Sequence, residues 1–225
     1  MKPQIKNTAD GSATLFLPEL NEQYHSMNGA VTESNHVFLQ NGFNYNTASH
    51  PVVFEVGFGT GLNCLLTARQ AQTQSRETLY ITIEKFPLDS GILNRLNYGT
   101  LIRENGIQLF EKIHHCAWNL PVKISPWLTL LKLKNDFTTG GWNIPAQPDI
   151  IYFDAFGPDK QPEMWTEEIF FRLFKNCSEG GVLVTYSAKG VVRRRMIKAG
   201  FKVERLPGPP GKKEMLRGIK VRSKI

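Results

Sequence analysis

From Pro51 onward, short apolar runs alternate with stretches whose apolar positions recur every three or four residues, a pattern that predicts strands separated by helices. Residues 52–56 read as a strand, a glycine loop follows, and residues 62–72 read as a helix. A second strand is expected at 79–84 and helical sequence in part of 88–104, which completes one βαβ unit. Further strands are expected at 128–133, 150–153 and 182–186, with helices at 166–176 and 191–199, the last ended by Gly200. Residues 201–204 and 215–221 then read as two strands around Pro207-Gly208-Pro209-Pro210-Gly211, so the chain closes in a β-hairpin. This alternation implies a mainly parallel, doubly wound α/β sheet. Residues 1–50 differ, being polar and turn-rich around two apolar patches, 14–17 and 36–39. The expected organisation is a small hairpin-like N-terminal module over 1–50 and one Rossmann-like domain over 51–225.

At 225 residues and 41% hydrophobic content, the chain can bury one substantial core with an appendage. Cys64, Cys116 and Cys177 lie far apart and form no CxxC pair, so neither a disulfide framework nor a zinc site is indicated. The five histidines show no metal-ligand spacing, and no metal is expected. No run approaches the ~20 apolar residues of a membrane span. These features predict a soluble, cytoplasmic protein without a membrane partner. The net charge of +7 is unevenly spread: residues 186–225 hold 13 Lys and Arg against Glu204 and Glu214, while the remainder holds 14 basic and 18 acidic residues. A basic block of this kind can follow a phosphate backbone. Lys189, Arg193, Arg194, Arg195, Lys212 and Lys213 are its candidate RNA-binding residues.

The main chemical signal is Phe54-Glu55-Val56-Gly57-Phe58-Gly59-Thr60-Gly61-Leu62-Asn63, where a buried strand turns into a helix. Glycines there permit a tight turn and close approach of a ligand to the backbone. Leu62 stands where a GxGxxG fingerprint wants its last glycine, which disfavours a pyrophosphate cradle. Glu55 would repel a pyrophosphate but attract the cationic amino-acid portion of S-adenosylmethionine. Glu84, at the end of the second strand, suits the ribose hydroxyls, and Asp136 suits the adenine edge. Glu55, Gly57, Phe58, Gly59, Thr60, Gly61, Asn63, Glu84, Lys85 and Asp136 form the expected cofactor-binding set. Asp154 follows an apolar strand and should open into the same crevice; it is the candidate catalytic residue, orienting an amine or removing its proton. The antiparallel final strand also suits a methyltransferase sheet better than a dinucleotide-binding one.

Several segments resemble the bacterial MnmC-type tRNA methyltransferases, which complete the 5-methylaminomethyl group on wobble uridine, usually on 2-thiouridine. They are Thr8-Ala9-Asp10-Gly11-Ser12, Tyr24-His25-Ser26, Glu33-Ser34 with His36-Val37-Phe38, the glycine loop, Glu84-Lys85-Phe86-Pro87-Leu88, Phe153-Asp154-Ala155-Phe156-Gly157-Pro158 with Pro162-Glu163-Met164-Trp165, and the basic segments near the end. The resemblance implies a class I S-adenosylmethionine methyltransferase with a mostly parallel seven-stranded sheet, an antiparallel last strand and a small N-terminal β module. It places Asp154 beside the aminomethyl nitrogen, and Tyr24, His25 and Glu33 near the mouth of the substrate pocket. Larger family members add a FAD-dependent oxidase domain; a chain stopping at Ile225 is expected to hold no FAD and to rely on a separate oxidase or another source of the amine. A small-molecule methyl- or aminopropyl-transferase would share the loop and acids without needing the basic end. A non-catalytic RNA-binding module would need only the basic end.

Overall fold

The computed structural model describes residues 3–221 apart from Arg103 and Gly141. Strands β1 (Gln4–Asn7), β2 (Ala13–Leu17) and β3 (Glu22–Gln23) make a small antiparallel sheet in that order. Helix α1 (Ala30–Ser34) follows and runs into a wide helical stretch, Asn35–Phe43, in which Asn44 N–H reaches back five residues to the Leu39 carbonyl at 2.8 Å. The second apolar patch, expected within a hairpin-like module, is therefore helical. Val37, Phe38, Leu39 and Phe43 are all buried, and the Phe38 ring lies 5.1 Å from that of Tyr152. The wide turn lets consecutive apolar residues face the protein together. At Gly42 an added Cβ would stand 3.0 Å from Val184 and 3.1 Å from Tyr152, so this stretch packs directly on the main sheet.

The main sheet is built from β4 (Val52–Val56), α2 (Leu62–Thr73), β5 (Thr78–Glu84), the short helices α3 (Ser90–Leu93) and α4 (Tyr98–Leu101), α5 (Gly106–His115), β6 (Pro121–Ser125), β7 (Leu128–Lys134), β8 (Ile150–Phe153), α6 (Glu167–Asn176), β9 (Val182–Thr185), α7 (Gly190–Ala199), β10 (Lys202–Pro207) and β11 (Glu214–Ile219). Its order is β10-β11-β9-β8-β4-β5-β7-β6. The five strands from β9 to β7 run parallel, while β11 is antiparallel to β9 and to β10. Among the described residues the sheet has eight strands where seven were expected. The addition is β6, an edge strand antiparallel to β7 whose exposed Pro121 and Lys123 break the apolar run that marks a central strand.

Side chains alternate across the sheet with a period of two. Val53, Ile150 and Tyr152 pack on the face that carries α2, and Phe54, Val56, Ile151 and Phe153 on the face that carries α6 and α7. By that alternation Glu55 shares the face of Val53 and points towards α2. Helix α6 begins at Thr166, whose hydroxyl accepts from Ile169 N–H at 3.3 Å, and buries Ile169, Phe170 and Leu173 against the sheet. The carboxyl ends of β4, β5, β7, β8 and β9 open together at one edge, where α/β sheets bind ligands.

Candidate active site

Gly57, Gly59 and Gly61 in the loop after β4 have φ of 91°, 49° and 71°, in the region that favours glycine. A Cβ on Gly59 would stand 3.1 Å from the Tyr24 ring. Glu84 ties the loop to β5: Gly59 N–H donates to one carboxylate oxygen at 3.1 Å and Phe86 N–H to the other at 2.8 Å. Thr60 is gripped from two sides, its carbonyl by His114 Nε2 at 3.1 Å and its hydroxyl by His25 Nε2 at 3.4 Å. Burial pushes both histidines down to about 4, so both are neutral at physiological pH. Neither histidine stood out in the sequence as a support for the loop. Asp136 is bound by Lys85 at 2.8 Å and by the N–H and hydroxyl of Thr138 at 2.9 and 2.6 Å, interactions that hold its carboxyl down to about 2.

Asp154 sits at the end of β8. Asn63, on α2, donates through one Nδ2 to Asp154 at 2.8 Å and to Glu55 at 3.1 Å. Glu55 is fully buried, and its carboxyl is pushed well above the ordinary range by burial and then by the Asp154 charge. It lies behind Asn63 and not on the cleft wall facing the cofactor, because the strand's alternation turns it towards α2. Gly61 likewise lies behind the wall, whereas Gly57, Phe58, Gly59, Thr60, Asn63, Glu84, Lys85, Asp136 and Asp154 line one cleft of about 1390 Å³. Burial, followed by the neighbouring Glu33 charge, raises Asp154 to about 8 against the opposing hydrogen bond from Asn63 and the charge of Lys212.

Glu33 arrives from α1. The Asp10 carboxylate accepts from Thr32 N–H and hydroxyl, both at 2.8 Å, and so anchors the first turn of that helix. Glu33 then accepts from Ser26 N–H at 2.8 Å and from Lys212 Nζ at 2.6 Å. Lys212 also lies 3.9 Å from the centre of the Tyr186 ring, and the Tyr186 hydroxyl donates to the Ala155 carbonyl at 2.9 Å.

The basic residues divide. Lys189, paired with Asp159, and Lys212 and Lys213 line the cleft, while the three arginines of α7 stand outside its wall. Arg195 donates to the Trp165 carbonyl at 2.8 Å, Arg193 is half-buried, and Arg194 is exposed. Arg222 and Lys224, part of the basic end, lie outside the described residues. Among the described residues, no helix is long and apolar enough to cross a membrane.

The residues present fit S-adenosylmethionine. The positive-φ glycines leave an open backbone where side chains would intrude, Glu84 stands at the end of β5, and the buried Asn63 Oδ1 has no hydrogen-bond partner. Residues 129–221 match a family described as S-adenosyl-L-methionine-dependent methyltransferase. Fold, loop and family match together define an S-adenosylmethionine-dependent methyltransferase. Within that class, the bifunctional protein MnmC of tRNA 5-methylaminomethyl-2-thiouridine biosynthesis from Aeromonas salmonicida is 32% identical over 92% of this chain, and the one from Pseudomonas fluorescens is 34% identical over 87%. The crystal structure of MnmC2 from Aquifex aeolicus superposes with a TM-score of 0.82 at 26% identity, covering 100% of this chain and 72% of that one. The chain is thus similar over most of its length to MnmC and MnmC2. It spans about a third of the length of the curated relatives it matches (34% and 32%).

Proposed function

We propose that the protein methylates the amine of a 5-aminomethyl group on the wobble uridine of tRNA. The observation that carries this reading is Asp154, an acid held by Asn63 in the same cleft as the glycine loop and raised to about 8. When bound, S-adenosylmethionine supplies a methyl group on a positively charged sulfur. The acceptor nitrogen must offer a lone pair, yet an alkylamine with a pKa of roughly 10 is mostly protonated at neutral pH. An ordinary aspartate would take that proton at a cost of about 8 kcal/mol; one at about 8 does so for about 3 kcal/mol. Asp154 thus takes the ammonium proton first and frees the lone pair with which the nitrogen would displace the methyl group from the sulfonium. Enclosure of the cleft favours the neutral amine further.

The names of the relatives support tRNA as substrate, and Lys189 and Lys213 at the cleft suit its phosphates. Those relatives are called bifunctional, which supports a second activity; we assign it to a FAD-dependent oxidase that supplies the aminomethyl group, with both working in the cytoplasm. The test is transfer of labelled methyl from S-adenosylmethionine to tRNA from cells lacking this protein, with nucleoside analysis. Label in 5-methylaminomethyl-type uridine is expected. Tight cofactor binding with no label in that nucleoside overturns the reading and turns the search to small amines.

A further inference from the structure

We propose that Glu33 and Lys212 act together as positioning residues for methyl transfer: their ion pair locks the N-terminal module to the last hairpin beside Asp154 and sets how readily that carboxyl takes a proton. The inference rests on the reading of Asp154 as proton acceptor.

The two residues are 179 positions apart and meet only in the folded chain. Glu33 is 6% exposed, and its carboxylate is spent on Ser26 N–H and Lys212 Nζ. Lys212 belongs to a tight loop in which its own N–H bonds the Pro209 carbonyl at 2.9 Å and Gly208 N–H bonds the Lys213 carbonyl at 3.1 Å. Its ammonium is held a second time over Tyr186, whose hydroxyl is bonded to the residue after Asp154. An exposed ion pair contributes little, but here the Glu33 carboxylate is buried beside a third carboxyl while Lys212 is half-buried, and burying that charge carries a desolvation cost that a purely structural contact could avoid with apolar residues.

The groups that face Asp154 come from every element around it. Glu55 and Asn63 stand behind it on β4 and α2; Glu33 approaches from α1, Lys212 from the hairpin loop, and Tyr186 from the end of β9. Glu22, on β3, acts on Tyr186, and His25 beside Glu33 is neutral. Glu33 and Lys212 press on Asp154 in opposite senses, so removing either leaves the other uncompensated.

The experiment is the pH profile of kcat/KM for methyl transfer to tRNA with the wild type, Glu33→Gln and Lys212→Met, with S-adenosylmethionine affinity measured in parallel by calorimetry. Glu33→Gln is expected to move the acid limb down by roughly one pH unit, and Lys212→Met to move it up by roughly one. Cofactor affinity should stay within about twofold in both, since the pair does not touch the glycine loop. Limbs that stay in place while rates fall in parallel overturn the inference and make the pair structural. If Lys212→Met does not fold, Lys212→Arg serves: it keeps the cation, so the limb should stay at the wild-type position, and a displaced limb overturns the inference. Failure of the underlying reading looks different, because Asp154→Asn would then keep both the rate and the limb.

Discussion

Asp154→Asn replaces an acid by an isosteric amide that still accepts the hydrogen bond from Asn63 but takes no proton. With the acceptor gone, the ammonium proton must leave to water before the nitrogen can attack. A positioned general base contributes ~10²–10⁴ in rate, or about 3–5 kcal/mol of barrier. The assay is single-turnover methyl transfer to tRNA across pH 6–10, beside calorimetric binding of S-adenosylmethionine. The wild type should rise along an acid limb near pH 8, where Asp154 loses its proton, and level off towards roughly 10, where the amine loses its own proton without help. The variant should lose ~10²–10⁴ in rate and the limb near 8, with cofactor affinity within about threefold. A rate within threefold of wild type, or a limb near 8 that persists, refutes the reasoning. Stability gives an independent check. The folded carboxyl sits near 8 and the unfolded one near 3.8, so the protonated acid's contribution is full below about 4 and lost as pH rises through 8. The melting temperature of the variant relative to wild type should therefore climb from pH 5 to pH 9.

Gly59→Ala puts a Cβ 3.1 Å from the Tyr24 ring at a φ of 49°, and should weaken cofactor binding by about 1–3 kcal/mol as measured by calorimetry; unchanged affinity would remove the loop from the site. His25 and His114 fold as neutral rings with pKa near 4 against 6.5 unfolded, so stability should fall as pH drops from about 6.5 to about 4. His114→Gln should make that fall shallower in thermal melts, and an unchanged slope would count against the assignment. Lys213→Ala should weaken tRNA binding and lower its salt slope by about one, whereas Arg195→Ala, which loses the bond to the Trp165 carbonyl, should lower the melting temperature and leave the slope alone. Equal effects of the two on the slope would return α7 to the RNA-binding face.

The order of the central strands and of α2, α6 and α7 was legible because parallel strands buried on both faces leave uninterrupted apolar runs, as at Ile150–Phe153, and because Thr166 and Gly200 mark helix ends; helix α5, outside the helical range expected at 88–104, was not. The glycine loop and Asp154 were legible for the same reason: each follows a strand whose carboxyl end lies at the sheet's binding edge. The edge strand β6 and the π-type turn at Asn35–Phe43 were not, since a half-exposed strand loses its run and a wide helix breaks the usual spacing. Where charged side chains would end up was decided by the tertiary structure alone. Lys132 carries no mark of burial in the sequence, yet it is fully buried and donates to the carbonyls of Ile113 and His114 at the end of α5. Lys212 looked like a partner for phosphate and instead binds Glu33. Local sequence determines backbone periodicity because its interactions span a few residues, whereas the partner of a charge depends on which distant elements the packing of the sheet brings within a few ångströms.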